Sequence, residues 1–364
     1  MYRNKIVFAF FQLVQIGMHE KGRFDGFLSE EEWRQVYRLA TEQTVLGICF
    51  VALKFLESSQ LPSKQLLLLW FGEVERIRTR NKRVNDVANE VCRRLVSTGC
   101  RYSILKGQGI ASLYSSPMLR QSGDIDIILD EKKESVLNFL YQNRQIKDVL
   151  YHHTRIYEKG ILIEIHFTPS WMFSYFTNKR LQSFFLQEKE HIFGHTIRWE
   201  NTEELNVPTV AFNRVYILIH IYRHLFGEGV GLRQLMDYYY VLKQGFTEEE
   251  RLDTVTILKK LKMEKFARGV MYVLQKVFAL ESSFFILPPD RLHGEFLLSE
   301  VLQAGNFGHY DQRKQTNMND SSGVLFFKRC RRNLRFLRYY PSETLWTPLF
   351  KIWHFCWRKY HSWI

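Results

Sequence analysis

Residues 104–130, ILKGQGIASLYSSPMLRQSGDIDIILD, followed by residues 161–167, ILIEIHF, decide how this chain is read. In the first stretch Asp124 and Asp126 stand two residues apart within the alternating pattern SGDIDIILD. Successive side chains on a strand alternate faces, so both carboxylates project to one side while Ile125 and Ile127 enter a core. Two like charges ~5 Å apart repel by about 3 kcal/mol at an effective dielectric near ~20. A fold tolerates that repulsion if a cation bridges the pair or one acid keeps its proton. Glu164, between Ile163 and Ile165, puts a third carboxylate on another strand. Three oxygen donors converging from two strands suit Mg²⁺ or Mn²⁺, hard cations that keep positions open for phosphates.

The surroundings support a sheet here and helices elsewhere. RYSILKG reads as a short strand ending at Gly107, GIASLYSS as a helix closed by the turn at Pro117, and EKKESVLNFLYQNR as an amphipathic helix. YHHTRIYEKG and ILIEIHF are two strands joined at Gly160 as a hairpin. The division expected is a helical region over 1–98, a mixed-sheet core over 99–205 and a helical domain over 206–304. A mobile loop over 305–327 and a basic aromatic tail over 328–364 follow. In the first region Ser29 before Glu30, Glu31 and Glu32 is a helix start, and apolar residues keep helical spacing from Glu32 to Glu57. A long helix is expected from Ser63 to Ser97, ending at Gly99.

The chain has 364 residues, with 51 Lys+Arg against 38 Asp+Glu and a net charge of +13. That excess predicts an anionic partner: nucleotide, nucleic acid or acidic membrane. With 29 Phe, 18 Tyr, 20 Gly and 8 Pro, the disordered, low-complexity and collagen-like classes are excluded. Cys49, Cys92, Cys100, Cys330 and Cys356 are odd in number and contain no C-x-x-C pair. They fit neither a disulfide framework nor a zinc ribbon and predict a reducing, cytoplasmic setting. Gln12 and Gln15 interrupt the first apolar stretch, which reads as a buried or amphipathic helix rather than a secretion signal. No uninterrupted apolar run reaches the ~18 residues a membrane span needs.

The order of parts (strand, Lys-Gly turn, short helix, Arg, Gly-Asp-Ile-Asp strand, apolar-Glu-apolar strand) resembles the nucleotidyltransferase superfold, the DNA-polymerase-β-like group. More narrowly, LKG…Y…LR…GDIDIIL, then EIH, then His220-x-x-x-His224 and LRQLMD resemble a bacterial family of uncharacterised nucleotidyltransferases over residues 100–240. The resemblance implies an α+β fold: a small mixed β-sheet nucleotidyltransferase core flanked by N-terminal and C-terminal helical regions. It implies metal-dependent transfer of a nucleoside monophosphate from an NTP such as ATP to an acceptor, whether protein, RNA, sugar or small molecule. Asp124 and Asp126 would each bind divalent metal, and Glu164 would complete a second site. Backbone amides after Gly107, with the Lys106 ammonium, would cradle phosphate at a helix N-terminus. The superfold's usual Gly-Gly or Gly-Ser turn is Lys106-Gly107 here. Arg120 would pair with phosphate or brace the acids. Arg233 and Asp237, four residues apart on a helix, would meet the nucleotide if that helical region closes over the sheet.

Other readings fit some of the same residues. His220 and His224 lack an evident third zinc ligand, so helix packing or internal hydrogen bonding is the plainer account. His166 shares the face of Glu164 and could orient it or make a structural hydrogen bond. Arg76, Arg80 and Arg83 line one helix face, and RCRRNLRFLRYY interleaves Arg with aromatics, as a non-catalytic nucleic-acid binder would. The tail from Lys328 holds nine Lys/Arg against Glu343 and four of the eight tryptophans. Its segment LWTPLFKIWHFCWRKYHSWI suits either an interfacial helix on acidic lipid or a helix packing its tryptophans on the rest of the chain. A nucleotide-binding pseudoenzyme is a further alternative. A sugar kinase or hydrolase is disfavoured, because no P-loop, G-x-S-x-G or H-E-x-x-H is present.

Overall fold

A computed structural model describes residues 5–142, 148–198, 204–313 and 321–360. Its first helices are α1 (Lys5–His19), α2 (Glu30–Glu42), α3 (Leu46–Ala52) and α4 (Lys64–Ser97). Ser29 caps α2 reciprocally: its Oγ accepts from the Glu32 amide at 3.3 Å, and Glu32 Oε2 accepts from the Ser29 amide at 2.7 Å. The apolar spacing over 32–57 does not make one helix. Thr44 takes φ +55°, which ends α2 and turns the chain into α3. α4 starts at the Ser63 cap and runs for 34 residues.

Next come β1 (Tyr102–Leu105), α5 (Gly107–Ala111), β2 (Ile125–Leu129), α6 (Lys133–Gln142), β3 (Asp148–Val149), β4 (His153–Glu158) and β5 (Ile161–His166). The strands form one sheet in the order β1-β2-β5-β4-β3. β2 and β5 are parallel neighbours in a register that sets Asp126 opposite Glu164, and the other pairs are antiparallel. β4 and β5 turn at Lys159 and Gly160, whose φ values of +48° and +76° are the two left-handed positions a tight hairpin needs. Alternation then divides the sheet. Ile125, Ile127, Ile163 and Ile165 fill a core with Val84, Val87 and Val91 of α4, and Asp126, Glu164 and His166 take the opposite face.

After the sheet, α7 (Tyr175–Gln187), α8 (Lys189–Phe193) and a ribbon of β6 (His195–Ile197) and β7 (Leu205–Val207) lead into the helices α9 (Val210–Gly227), α10 (Leu232–Leu242), α11 (Glu248–Lys260), α12 (Glu264–Phe278) and α13 (Arg291–Ala304). Both ends of the chain share one core, in which Phe10 and Val14 of α1 belong to the same cluster as Leu274 and Val277 of α12. Gln15 Nε2 fastens the two helices by donating to the Val277 carbonyl at 3.1 Å. The protein is thus α+β, with a small mixed sheet between helical regions.

Of the loop expected over 305–327, only residues 322–327 differ among the described residues, since they belong to α14 (Ser322–Asn333). Residues 314–320 lie outside the described residues. On one side of them Arg313 donates to Asp311 at 2.7 Å and to Glu300 at 3.0 Å, and on the other Ser321 caps α14. Polar residues that resemble a loop in sequence serve here as ion pairs and a helix cap. In α15 (Pro341–Tyr360), Phe350 stacks on Trp171 with ring centres 4.2 Å apart and planes at 11°. Leu345, Leu349, Ile352 and Trp353 of that helix are exposed. Among the described residues, no helix is long and apolar enough to cross a membrane. All five cysteines are free.

Candidate active site

Asp126 lies in the middle of the polar face, buried, with two hydrogen-bond donors on one oxygen. Lys106 Nζ is 2.8 Å and His166 Nε2 3.0 Å from its Oδ1. Burial alone would raise the Asp126 pKa, but the Lys106 ammonium and His166 outweigh it and hold the carboxyl well below the usual range. Lys106 reaches this place from a backbone at φ +58°, ψ −115°, a conformation that L-residues avoid at a cost of about 1–3 kcal/mol. It stands directly ahead of Gly107, the first residue of α5. Such strain persists where the surroundings over-determine it, here between β1 and the Asp126 carboxylate.

The other two acids respond in the opposite direction. Asp124 precedes β2 by one residue, and burial followed by the charge of Asp126 raises its pKa. Glu164 is also raised, first by burial and then by Asp126 and Asp124. Its Oε1 accepts from Arg155 Nε at 3.1 Å. Three acids that repel one another, one of them already holding an ammonium, make a site selective for cations. Ligand atoms of Asp126, Glu164 and His166 lie within 4.8 Å of one another, a spacing one ion can bridge, whereas Asp124 falls outside that group. An oxygen-rich set with one imidazole suits Mg²⁺ or Mn²⁺.

The loop ahead of Asp124 is fastened to α4. Asn81 Nδ2 donates to the carbonyls of Met118 at 2.7 Å and Arg120 at 2.8 Å, and Arg80 donates to that of Gly123 at 2.9 Å. Arg83 donates to the Lys159 carbonyl and Arg76 pairs with Glu73. The arginines that sequence placed on one basic face therefore each have a partner, and two of the three tie α4 to the loops around the sheet.

Arg120 and Asp237 form a buried two-pronged ion pair, with Nε to Oδ1 at 2.7 Å and Nη2 to Oδ2 at 2.9 Å. Tyr114 Oη donates to the same Oδ1 at 2.7 Å, while Arg233 Nη1 makes a longer contact to Oδ2 at 3.5 Å. Burial opposes ionisation of Asp237, but Arg120 and Arg233 keep its pKa low. Arg120 is thus engaged by Asp237, and the charge of Arg233 opposes the rise that burial and Asp126 impose on the Asp124 pKa. Gly107 sits on the buried start of α5, behind Lys106.

Several further residues surround the acids, and of these only His220 is singled out in the sequence. Tyr216 and His220, one turn apart on α9, are buried beside the site: burial first, then the charge of Asp126, pushes the Tyr216 pKa far up. Its hydroxyl has no hydrogen-bond partner among the described residues. His220 is driven well down, by burial and then by Lys106. Behind Glu164 stands a pair of neutral imidazoles. The Trp171 indole, which can only donate, reaches His152 Nδ1 at 3.0 Å, and the Arg223 guanidinium stands 3.3 Å from His152 Nε2. His152 Nε2 and His153 Nδ1 are 2.9 Å apart, and His153 Nε2 is 3.4 Å from Glu164 Oε1. Burial keeps both rings uncharged and lowers the His153 pKa to about 2. In the sequence, the adjacency of the two histidines is the only sign of this pair.

At the far end of the same helix, His224 donates from Nδ1 to Glu228 at 2.6 Å and accepts from Arg223 Nη2 at 2.9 Å. His220 makes ring contacts with Tyr216 and His224, and no third ligand group joins the two histidines among the described residues.

No curated protein matches the chain at significant similarity. A solved structure, an antigenic nucleotidyltransferase-like protein from Paracoccidioides brasiliensis, aligns at 14% identity and a TM-score of 0.34. The alignment covers 58% of this chain and 96% of that one. A family model described as uncharacterised nucleotidyltransferase matches residues 29–279, most of the chain and all three acids, and the protein belongs to that family.

Proposed function

We propose that this protein moves a nucleoside monophosphate from an NTP, with ATP as the first candidate, to a hydroxyl or phosphate acceptor on a nucleotidyltransferase core of the DNA-polymerase-β-like type. The observation that carries the reading is the parallel register of β2 and β5, which sets Asp126 beside Glu164 under an ammonium that stands where a cation would be welcome. Asp124, Asp126 and Glu164 would hold Mg²⁺ or Mn²⁺. Once bound, the cation would neutralise the triphosphate and draw charge from the α-phosphoryl group. Lys106, released from Asp126, would turn its ammonium to the phosphates, and Arg233 would add a guanidinium from α10. Arg120 and Asp237 would keep Arg233 in place. In the transfer an acceptor oxygen bonds to the α-phosphorus, the bond to the bridging oxygen breaks, pyrophosphate leaves and the acceptor proton passes to solvent.

Calorimetric titration of each of the four NTPs, with Mg²⁺ and with EDTA, into the wild type and the Asp124→Asn/Asp126→Asn variant tests this. Binding that requires both metal and acids is expected. Equal binding in EDTA, or in the variant, would overturn the assignment.

A further inference from the structure

A second feature opens on the other side of the His152–His153 pair. It is a cleft of about 570 Å³ between the end of α9, α14 and α15, within the size range of small-molecule sites. Its apolar side is formed by Trp171 stacked on Phe350, with His354 stacked on Phe350 in turn at 5.8 Å and 16°. Around this surface stand four cations: Arg223, Arg329, Lys351 and Arg358. The lining carries one carboxylate, Glu228, and His224 already donates to it. Among the described residues no carboxylate lies within ion-pair distance of Arg329, Lys351 or Arg358. Burial first, then the charges of Arg329 and Arg332, presses the Lys351 pKa down to about 8.

The cleft is close to the candidate chemistry. Trp171 lines it and donates to His152, the ring that holds His153 against Glu164. α9 forms a wall common to both places: Tyr216 and His220 stand at the acids, and Arg223 and His224 stand at the cleft.

We propose that this cleft binds the acceptor, and that the acceptor is a small molecule with a flat apolar body and an oxyanion, phosphate or carboxylate. The apolar body would pack against Ile352 and Phe355, which line the cleft and are exposed, beside the covered Trp171–Phe350 stack. The oxyanion would take charge-assisted hydrogen bonds from Arg329 and Lys351, which the protein itself leaves without a counter-ion. The role as acceptor site rests on the transferase reading, whereas the binding of such a molecule does not.

The probes are 1-naphthyl phosphate, 1-naphthoate, 1-naphthol and inorganic phosphate, each titrated into the full chain by calorimetry, with MgATP as a separate titration. One of the two naphthyl anions should bind at least tenfold more tightly than both naphthol and inorganic phosphate, and the tighter anion names the oxyanion. It should weaken at least tenfold in Arg329→Glu/Lys351→Glu, provided that this variant melts and binds MgATP as the wild type does. Should charge reversal disturb the fold, Arg329→Gln/Lys351→Gln serves in its place, with a loss of at least fivefold expected. Anion affinity unchanged in a folded variant, or full displacement of the naphthyl anion by MgATP, would overturn the proposal. If the anion binds and MgATP does not, the cleft stands and the transferase reading fails. If MgATP binds and neither anion does, the cleft proposal alone fails.

Discussion

On β2 and β5, Ile125, Ile127, Ile163 and Ile165 turn toward α4, while Asp126, Glu164 and His166 of the same two strands turn away from it. The isoleucine face is dry, and each side chain there is no more than 4% exposed. The acidic face holds a carboxylate with its pKa forced down, two with theirs forced up, and a lysine in a strained backbone. Burial of apolar area stabilises the first face by roughly 25 cal/mol per Å². The second gains little, since buried charges give back in desolvation much of what their attraction supplies. One strand pair therefore supplies stability on one side and ligand affinity on the other, and the two properties should separate on substitution.

The largest effect is expected where a buried charge loses its partner. Asp237→Ala leaves Arg120 and Arg233 inside the protein without a carboxylate and should destabilise the fold by about 3–5 kcal/mol, read from urea unfolding. A loss below 1 kcal/mol would mean that the pair is not buried as described. Asp126→Asn, next in size, should lower MgATP affinity by at least about 10–100-fold while the melting temperature stays within a few degrees. If the variant unfolds but binds normally, the division between the two faces is wrong.

A third carboxylate, far from the sheet, shows what burial does without any cation. Glu343 accepts from the amides of Phe173 at 2.8 Å and Ser174 at 3.3 Å and from the Thr177 hydroxyl at 3.1 Å, and burial still pushes its pKa up to about 7. Its folded pKa lies above the unfolded one, so the folded state binds the extra proton between the two. Stability from this group is present at low pH and lost as pH rises from about 4.5 to about 7, by about 3 kcal/mol in all. His152 and His153, held neutral by burial, act in the opposite direction below their ordinary pKa. The measurement is therefore a difference: unfolding free energy against pH for the wild type and for Glu343→Gln. Parallel curves would show that Glu343 does not titrate in this range.

The acids were legible in the sequence because a strand has period two. D-x-D and apolar-Glu-apolar can each place their carboxylates on only one face, and the Lys-Gly turn ahead of them sets an ammonium against Asp126. What stayed hidden depends on distance along the chain or on backbone angles. Arg120 and Asp237 are 117 residues apart, and nothing in either neighbourhood names the other. The stack of Trp171, His152 and His153 behind Glu164 needs the fold to bring β4 against the segment after β5. The break at Thr44 is a matter of φ, which helical spacing does not encode. The start of α14 at Ser322 stayed hidden because a Ser cap has the same composition as a loop.

The smallest change tests the apolar face by itself. Ile163 is fully buried, one residue before Glu164, and lies opposite Ile125 on β2 and Ile156 on β4. Ile163→Val removes one methylene and should cost about 1 kcal/mol, seen as a lower urea midpoint with an unchanged slope. Because the Cβ keeps its branch, the strand keeps its preference and the Asp126–Glu164 register should not move. MgATP affinity should therefore match the wild type within error. A fall in affinity equal to the fall in stability would show that the isoleucine face positions the acids as well as holding the sheet, so that the two faces act as one unit.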